Sequence, residues 1–264
     1  MTMFGAVTGL VTWINAHAVW PDLPIWAYVI ITLLDTHITT TCVTLYLHRS
    51  QTHGAITFSP VVSHFMRFWL WVRTAMPTRE WVAVHRCHHA FVDGPKDPHS
   101  PIVYGIWRVV FLGTGLYHRA AHNHEIIEQY GKGTPNDLLE RRLYTPLSVL
   151  GPVITLITNL WLFGIAGLPM WLVEMAWIPF FAAGVVNGLG HWWGYRNFET
   201  PDYSTNLHGR YLSVLTCGEA LHNNHHHIQN AERFSMRRGE IDPGYWYFSA
   251  LRVIGLAKTR KDAA

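Results

Sequence analysis

The chain alternates between apolar stretches free of basic residues and mixed stretches in which charge returns. Residues 25–47, IWAYVIITLLDTHITTTCVTLYL, form the clearest apolar run. As a helix its 23 residues would be about 35 Å long at 1.5 Å per residue, enough for a hydrocarbon core of about 30 Å. Asp35 and His37 interrupt it, and polar groups inside a span should face the bundle interior. A shorter run, 4–20, precedes it across the turn PDLP. A second pair, 143–164 and 169–190, flanks GIAGLP, with Pro152 and Pro179 marking expected kinks. The pattern predicts an all-α, multi-pass membrane protein of about four transmembrane helices in two hairpins. Residues 48–142 and 191–264 form a helical cap on one side, the whole making a single domain over 1–264.

Residues 56–76, ITFSPVVSHFMRFWLWVRTAM, compete for a place among the spans. Arg67 lies near the centre of this segment, where insertion costs about 2.5–3.5 kcal/mol. His64 and Arg73 add to that cost. An amphipathic helix lying in the interface accommodates both the aromatic rings and the arginines. It also keeps the residues before and after it on one face of the membrane.

Charge distribution supports this topology. All 20 Lys and Arg fall in two blocks, from Arg49 to Arg142 and from Arg196 to Lys261, while 1–48 and 143–195 contain none. Basic blocks that return to one side identify that side as cytoplasmic. Basic residues spread this way do not form the short polybasic patch expected of a nucleic-acid partner, so none is expected. The three cysteines, Cys42, Cys87 and Cys217, have no paired spacing, which fits reduced thiols rather than a disulfide framework. The N-terminus lacks the basic region of a cleavable signal peptide.

Histidine carries the chemistry. The basic blocks hold LHRSQTH (His48, His53), HRCHH (His85, His88, His89) and HNNHH (His222, His225, His226). Helical residues three and four apart share a face, so each H-x-x-H-H is expected to aim three imidazoles at one point. Eight imidazoles exceed the needs of one tetrahedral zinc and suit two transition ions. Neither an H-E-x-x-H zinc motif nor a C-x-x-C-H haem motif is present. Iron accepts imidazole, and open positions on it favour oxygen chemistry.

Three boxes in this order resemble those of the integral-membrane fatty acid desaturases, with the closest likeness to the acyl-CoA, stearoyl-type Δ9 group and its bacterial relatives. The likeness extends to HR at His48, W-x-x-x-H-R-x-H-H from Trp81, KDPHSP from Lys96, NGLGHWWGYRNFE from Asn187 and GEALHNNHH from Gly218. It covers about residues 25–258. The resemblance implies a site of two non-haem Fe ions held by His48, His53, His85, His88, His89, His191, His222, His225 and His226, with Asn187 acting through a water. It also implies O2 as co-substrate and a cis double bond introduced into a saturated acyl chain, at a position set by tunnel depth. The chain would be carried as acyl-CoA, on acyl carrier protein or in a phospholipid. No fused cytochrome b5 domain or HPGG motif is seen. Electrons are therefore expected from a separate donor of ferredoxin, cytochrome b5 or rubredoxin type with its reductase, and the expected location is a bacterial inner membrane.

Competing readings remain. The same scaffold could host a lipid hydroxylase, acetylenase or terminal-alkene-forming enzyme. A non-catalytic membrane protein binding metal or haem would instead scatter its ligands across both leaflets. Asp93 and Asp97 could fix the tautomers of neighbouring ligands. Trp192, Trp193 and His37 could wall the acyl pocket, or serve as interfacial anchors and a buried polar contact. His227, the run His118, His122 and His124, and His17, His64, His99 and His208 are read as surface or structural residues, and Cys87 as filler.

Overall fold

Proline sets where several helices of this chain begin, because its fixed φ suits the first turn and its missing N–H is one that turn leaves unbonded. The computed structural model describes residues 3–263. Its first half runs α1 (Met3–Ala16), α2 (Ile25–Cys42), β1 (Ile56–Phe58), α3 (Pro60–Thr74), α4 (Thr78–Phe91), α5 (Pro101–Tyr104), α6 (Ile106–Ala121) and α7 (His124–Tyr130). There follow α8 (Leu150–Phe163), α9 (Gly167–Ile178), α10 (Arg210–Leu215), α11 (His222–His227), α12 (Pro243–Val253) and β2 (Ala257–Thr259). Pro60, Pro101 and Pro243 open α3, α5 and α12, while Pro24 and Pro77 stand just before α2 and α4. Three π-helical segments, Val43–Thr52, Glu140–Tyr144 and Pro179–Leu189, complete a mostly helical chain.

Among the described residues, two segments are long and apolar enough to cross a membrane. Ile25–Thr52 is α2 continued by the first π-helical segment. Leu150–Leu189 folds back at Gly164, so that α8 and α9 lie against each other. The predicted turn, GIAGLP, therefore contains the actual one. A β-carbon on Gly167 would stand 2.2 Å from the Asn159 carbonyl oxygen, so the close approach of the two helices depends on that glycine. Trp171 Nε1 donates to the Pro152 carbonyl at 2.9 Å across the same hairpin. Pro179 begins a π-helical segment. At 14 residues, α1 would be only about 21 Å long, shorter than the predicted run. It packs at the tip of the second hairpin, where Asn15 Oδ1 accepts from the Ile165 N–H at 2.8 Å.

Residues 56–76 divide into β1 and α3 rather than one long helix. Val61, Phe65 and Phe68 face outward from α3, while Met66, Leu70 and Trp71 are buried. Both arginines find carboxylates. Arg67 pairs with Asp137 at 2.7 Å and Glu140 at 3.1 Å, and Arg73 pairs with Asp35 at 2.6 Å and Glu174 at 3.2 Å. Trp71 Nε1 donates to the Leu147 carbonyl at 3.0 Å, and Thr155 Oγ1 donates to the Val72 carbonyl at 2.7 Å. These bonds hold α3 against α8.

The C-terminal segment returns to the end of the Ile25–Thr52 segment. β2 pairs antiparallel with β1, Ile56 opposite Thr259, and α12 packs on the π-helical segment 43–52. Leu45, Tyr46, Leu47, Ile56, Leu70 and Phe248 form the centre of the core at this junction.

A β-carbon on Gly151 would lie 2.0 Å from the Trp71 carbonyl oxygen, whereas one on Gly115 meets nothing within 4 Å. We expect Gly151→Ala to destabilise the detergent-purified protein by about 1–3 kcal/mol through overpacking. Gly115→Ala should leave thermal unfolding unchanged or raise its midpoint.

Candidate metal centre

A π-helix hydrogen-bonds each residue to the fifth along and is common at functional positions. This is how two histidines five apart come to face one place. The His53 N–H donates to the His48 carbonyl at 3.2 Å, and the two rings stand 4.9 Å apart, centre to centre. In a regular α-helix they would diverge.

Nine predicted histidines converge in two adjoining groups. His48, His53, His85, His89 and His225 form one, and His88, His191, His222 and His226 the other; within each, one ligand nitrogen per ring lies within 4.8 Å of all the rest. The boxes do not each serve one point. Helical positions three and four along fall on opposite sides of the first residue's direction, so His88 leaves His85 and His89 to join the second group. His225 likewise leaves His222 and His226 to join the first. His89 and His226, with rings 4.7 Å apart, form part of the shared wall.

Carboxylates behind the rings fix their tautomers. Nδ1 of His48 donates to Glu219 at 2.7 Å, that of His88 to Asp97 at 2.8 Å, that of His191 to Asp93 at 2.9 Å and that of His226 to Asp202 at 3.0 Å. With that proton engaged, each Nε2 keeps a free lone pair, the form that binds a metal. Asp93 takes φ of 57° and accepts from Ser100 Oγ and the Tyr203 N–H as well, tying three loops together at one carboxylate. Asp97 also accepts from the Asp93 N–H at 2.8 Å.

Burial pushes His53, His85, His89, His222, His225 and His226 well below the usual imidazole range, and neighbouring imidazoles lower them further. His88 is the exception. Burial lowers it, but Asp97, helped by Asp93 and Asp202, raises it overall. The rings satisfy one another only in part. His225 Nε2 faces both His48 Nε2 at 3.1 Å and His89 Nε2 at 3.0 Å, and His89 Nε2 faces His85 Nε2 at 3.0 Å. Nε2 of His53, His88 and His226 is buried without a partner. Buried nitrogens left this way are costly. A cation at the middle of each group satisfies the converging lone pairs, and imidazole bonds of about 2.0–2.1 Å set opposite ligands roughly 4 Å apart. The residues therefore fit a two-metal site.

The groups open onto a cavity of about 490 Å³, within the range of small-molecule sites. His48, His85, His222 and Asn187 line it beside Val43, Trp81, Val84, Ile178 and Val186. Asn187 thus reaches the same space as the imidazoles, from the π-helical segment 179–189. Trp192 and Trp193, each 54% exposed, do not line it. Neither does His37, which bonds Tyr247 OH at 2.7 Å. The ring wall is supplied by Trp81, stacked on His85 at 5.0 Å. His227 stacks on Phe198 outside both groups. His99, expected to be structural, packs against His88 at 4.6 Å and also lines the cavity, with its pKa pushed down to about 3, chiefly by burial.

Several supporting residues escaped the sequence reading. Glu219 and Asp202 each hold a ring, and Glu219 also accepts from Thr44 Oγ1. Glu219 stands three residues before His222 in GEALHNNHH, a signal that was available; Asp202, 24 residues before His226, left none. Arg49 is fully buried, bonded to both oxygens of Asp242 at 2.8 and 3.0 Å and stacked 3.8 Å over Phe234, which in turn lies against His48 and His225. The asparagines between the histidines of the third box are equally occupied. Asn223 accepts from the Asn197 and Phe198 N–H groups, and Asn224 bonds Asn206, Glu240 and the Phe234 carbonyl.

A family model described as fatty acid desaturase matches residues 18–234. The chain is 30% identical to the icosanoyl-CoA 5-desaturase of Limnanthes douglasii over 83% of its own length and 60% of that protein's. It is 28% identical to Delta-9 acyl-lipid desaturase 1 of Arabidopsis thaliana, over 81% and 69% of the two chains. Against the acyl-CoA C20 Delta5-desaturase of Anemone leveillei the identity is 32%, over 81% and 67%. The chain therefore spans about two thirds of the length of these relatives.

Metal-free protein should be sensitive to acid. The six depressed imidazoles take up protons more readily unfolded than folded, so stability falls as pH drops from about 6.5 toward their folded values. Each contributes up to about 1.4 kcal/mol per pH unit. His88, shifted the other way, acts mainly above about pH 6.5, where it makes stability rise as pH falls, and does not offset the loss below it. Unfolding midpoints of chelator-treated protein should fall steeply between pH 7 and 5. A flat profile would contradict the neutral-cluster description.

Proposed function

The chain belongs to the fatty acid desaturase family, and from that premise we propose that it is an O2-dependent, non-haem di-iron fatty acyl desaturase. In this reading it introduces a cis, Δ9-like double bond into a saturated acyl chain. The observation that carries the proposal is the pair of imidazole groups, five and four strong, lying side by side on the wall of a largely apolar cavity. His48, His53, His85, His89 and His225 would hold one iron, and His88, His191, His222 and His226 the other, with Asn187 reaching the second through a water. When bound, the irons supply the oxidising power, with O2, that breaking an unactivated C–H bond requires.

The chain's own residues contribute position and dryness. Glu219, Asp97, Asp93 and Asp202 hold the rings in the tautomer that turns Nε2 inward. Trp81, Val84, Ile178 and Val186 would bound the acyl chain laterally and exclude water, so that two neighbouring carbons lie against the His48, His85 and His222 edge. Regiochemistry then follows from how far the chain inserts. Electrons come from a separate ferredoxin, cytochrome b5 or rubredoxin-type donor and its reductase. The protein would sit in the bilayer, a bacterial inner membrane in this reading, by four spans, near residues 4–20, 25–47, 143–164 and 169–190, with 48–142 and 191–264 on the cytoplasmic face. The two apolar segments and the confinement of Lys and Arg to the intervening parts support that topology.

Purified protein should carry about two iron ions per chain by elemental analysis. Expression in an aerobic host that supplies a donor should yield lipids lighter by two hydrogens, and His225→Ala should abolish this product while losing bound metal. Products heavier by one oxygen would identify a hydroxylase. Identical lipid profiles for wild type and variant would reject the desaturase reading.

A further inference from the structure

One group of histidines takes no part in the two imidazole groups. His118 and His122 span the last turn of α6, four residues apart, a spacing that makes helical side chains neighbours on one face. The His122 N–H donates to the His118 carbonyl at 3.1 Å, so the turn between them is closed. Their rings lie 6.0 Å apart, centre to centre, and both residues are exposed. His122 Nδ1 donates to the same carbonyl at 2.7 Å. That bond fixes the tautomer and leaves the Nε2 lone pair free, the form that binds a metal. The His118 ring makes no hydrogen bond among the described residues.

A carboxylate from α4 faces this pair. Glu80 lines the same cavity as His118 and His122. It is half-buried and makes no hydrogen bond or ion pair among the described residues. Burial pushes its pKa up and His122 opposes the rise, so the imidazole lies within electrostatic reach of the carboxylate. The Tyr117 hydroxyl, also on the lining, is buried without a partner. Its pKa is raised by burial and further by the Glu80 charge.

A carboxylate withdrawn from water is costly unless a cation or donor meets it. None of the neighbouring basic residues does so. Arg79 pairs with Glu128 at 2.7 Å. Arg119 follows His118 by one position, about 100° round the helix, and is not part of the lining. Among the lining residues the only Lys or Arg is Arg73, already bonded to Asp35 and Glu174. Glu80 is left with two imidazoles and no counter-ion. Two imidazoles and one carboxylate are a donor set that suits Zn2+, and the same set accepts other first-row dications. The three donors do not stand within the 4.8 Å that gathers the ligands of either imidazole group. His118 and His122 are exposed and free to turn, so binding itself closes the site.

We propose that Glu80, His118 and His122 form a separate site for a dication of the Zn2+ class, bridging α4 and α6 on the lining of the cavity. The site shares no ligand with the two imidazole groups and does not depend on the desaturase reading. Because α4 carries His85, His88 and His89, an ion there ties the helix of the second box to α6. Full-length protein purified in detergent, with whatever metal it holds, is dialysed against increasing free Zn2+, and bound zinc and iron are counted by elemental analysis. Wild type should bind one more zinc than His118→Ala, His122→Ala or Glu80→Gln, or bind it tighter by roughly tenfold or more. Bound iron should be the same in all four proteins. His124→Ala, which removes an exposed ring that does not line the cavity, should match wild type. Without zinc the proteins should unfold at equal midpoints, and added zinc should raise the wild-type midpoint above that of the three variants. Equal zinc binding by wild type and the three variants would overturn the site, as would an equal loss in His124→Ala. Unchanged affinity in Glu80→Gln would overturn it too, because the carboxylate is the group that calls for the cation.

Discussion

Nine imidazoles crowd one largely buried interior, where burial holds six of them toward the neutral form, and that constraint shapes everything around them. Protonating several at once would bury like charges within a few ångströms, an arrangement that protein interiors do not tolerate. Leaving them neutral creates the opposite problem, a surplus of inward lone pairs with no donors to meet them. Cations at two points remove both difficulties. The carboxylates of Glu219, Asp97, Asp93 and Asp202 belong to the same solution, since each fixes one ring proton away from the centre.

Holding the rings demands unusual backbone and a second layer of polar bonds. Val43–Thr52 and Pro179–Leu189 are π-helical, and they carry His48 and Asn187 respectively. The third box sits on a helix of only six residues, too short to be stable by itself. It is held instead by Asn223 and Asn224, whose side chains reach residues 197–206 and 234–240. Arg49 and Asp242 form a fully buried ion pair that joins the end of the Ile25–Thr52 segment to the C-terminal segment. Removing one member of such a pair would leave an uncompensated buried charge. The apolar segments, the polar clamp and the clustered rings form one connected structure.

What the sequence determined by itself is local or countable. Hydropathy located residues 25–47 and the hairpin around GIAGLP, because apolar length is a property of consecutive residues. The boxes supplied eight of the nine clustered histidines, and the family resemblance they carry added His191, because such spacing is written along one helix at a time. Tertiary structure alone decided the rest. It split each H-x-x-H-H between two groups, since which side of a helix faces which neighbour depends on the packing of the other helices. It brought His48 and His53 together through a π-helical register that residue spacing does not announce. It chose Trp81 over Trp192 and Trp193 as the ring wall, and it recruited Asp202 from 24 residues before its partner His226. It also paired β1 with β2 across some two hundred residues. Contacts of that kind arise where separate segments meet, and no single stretch of chain contains the information to specify them.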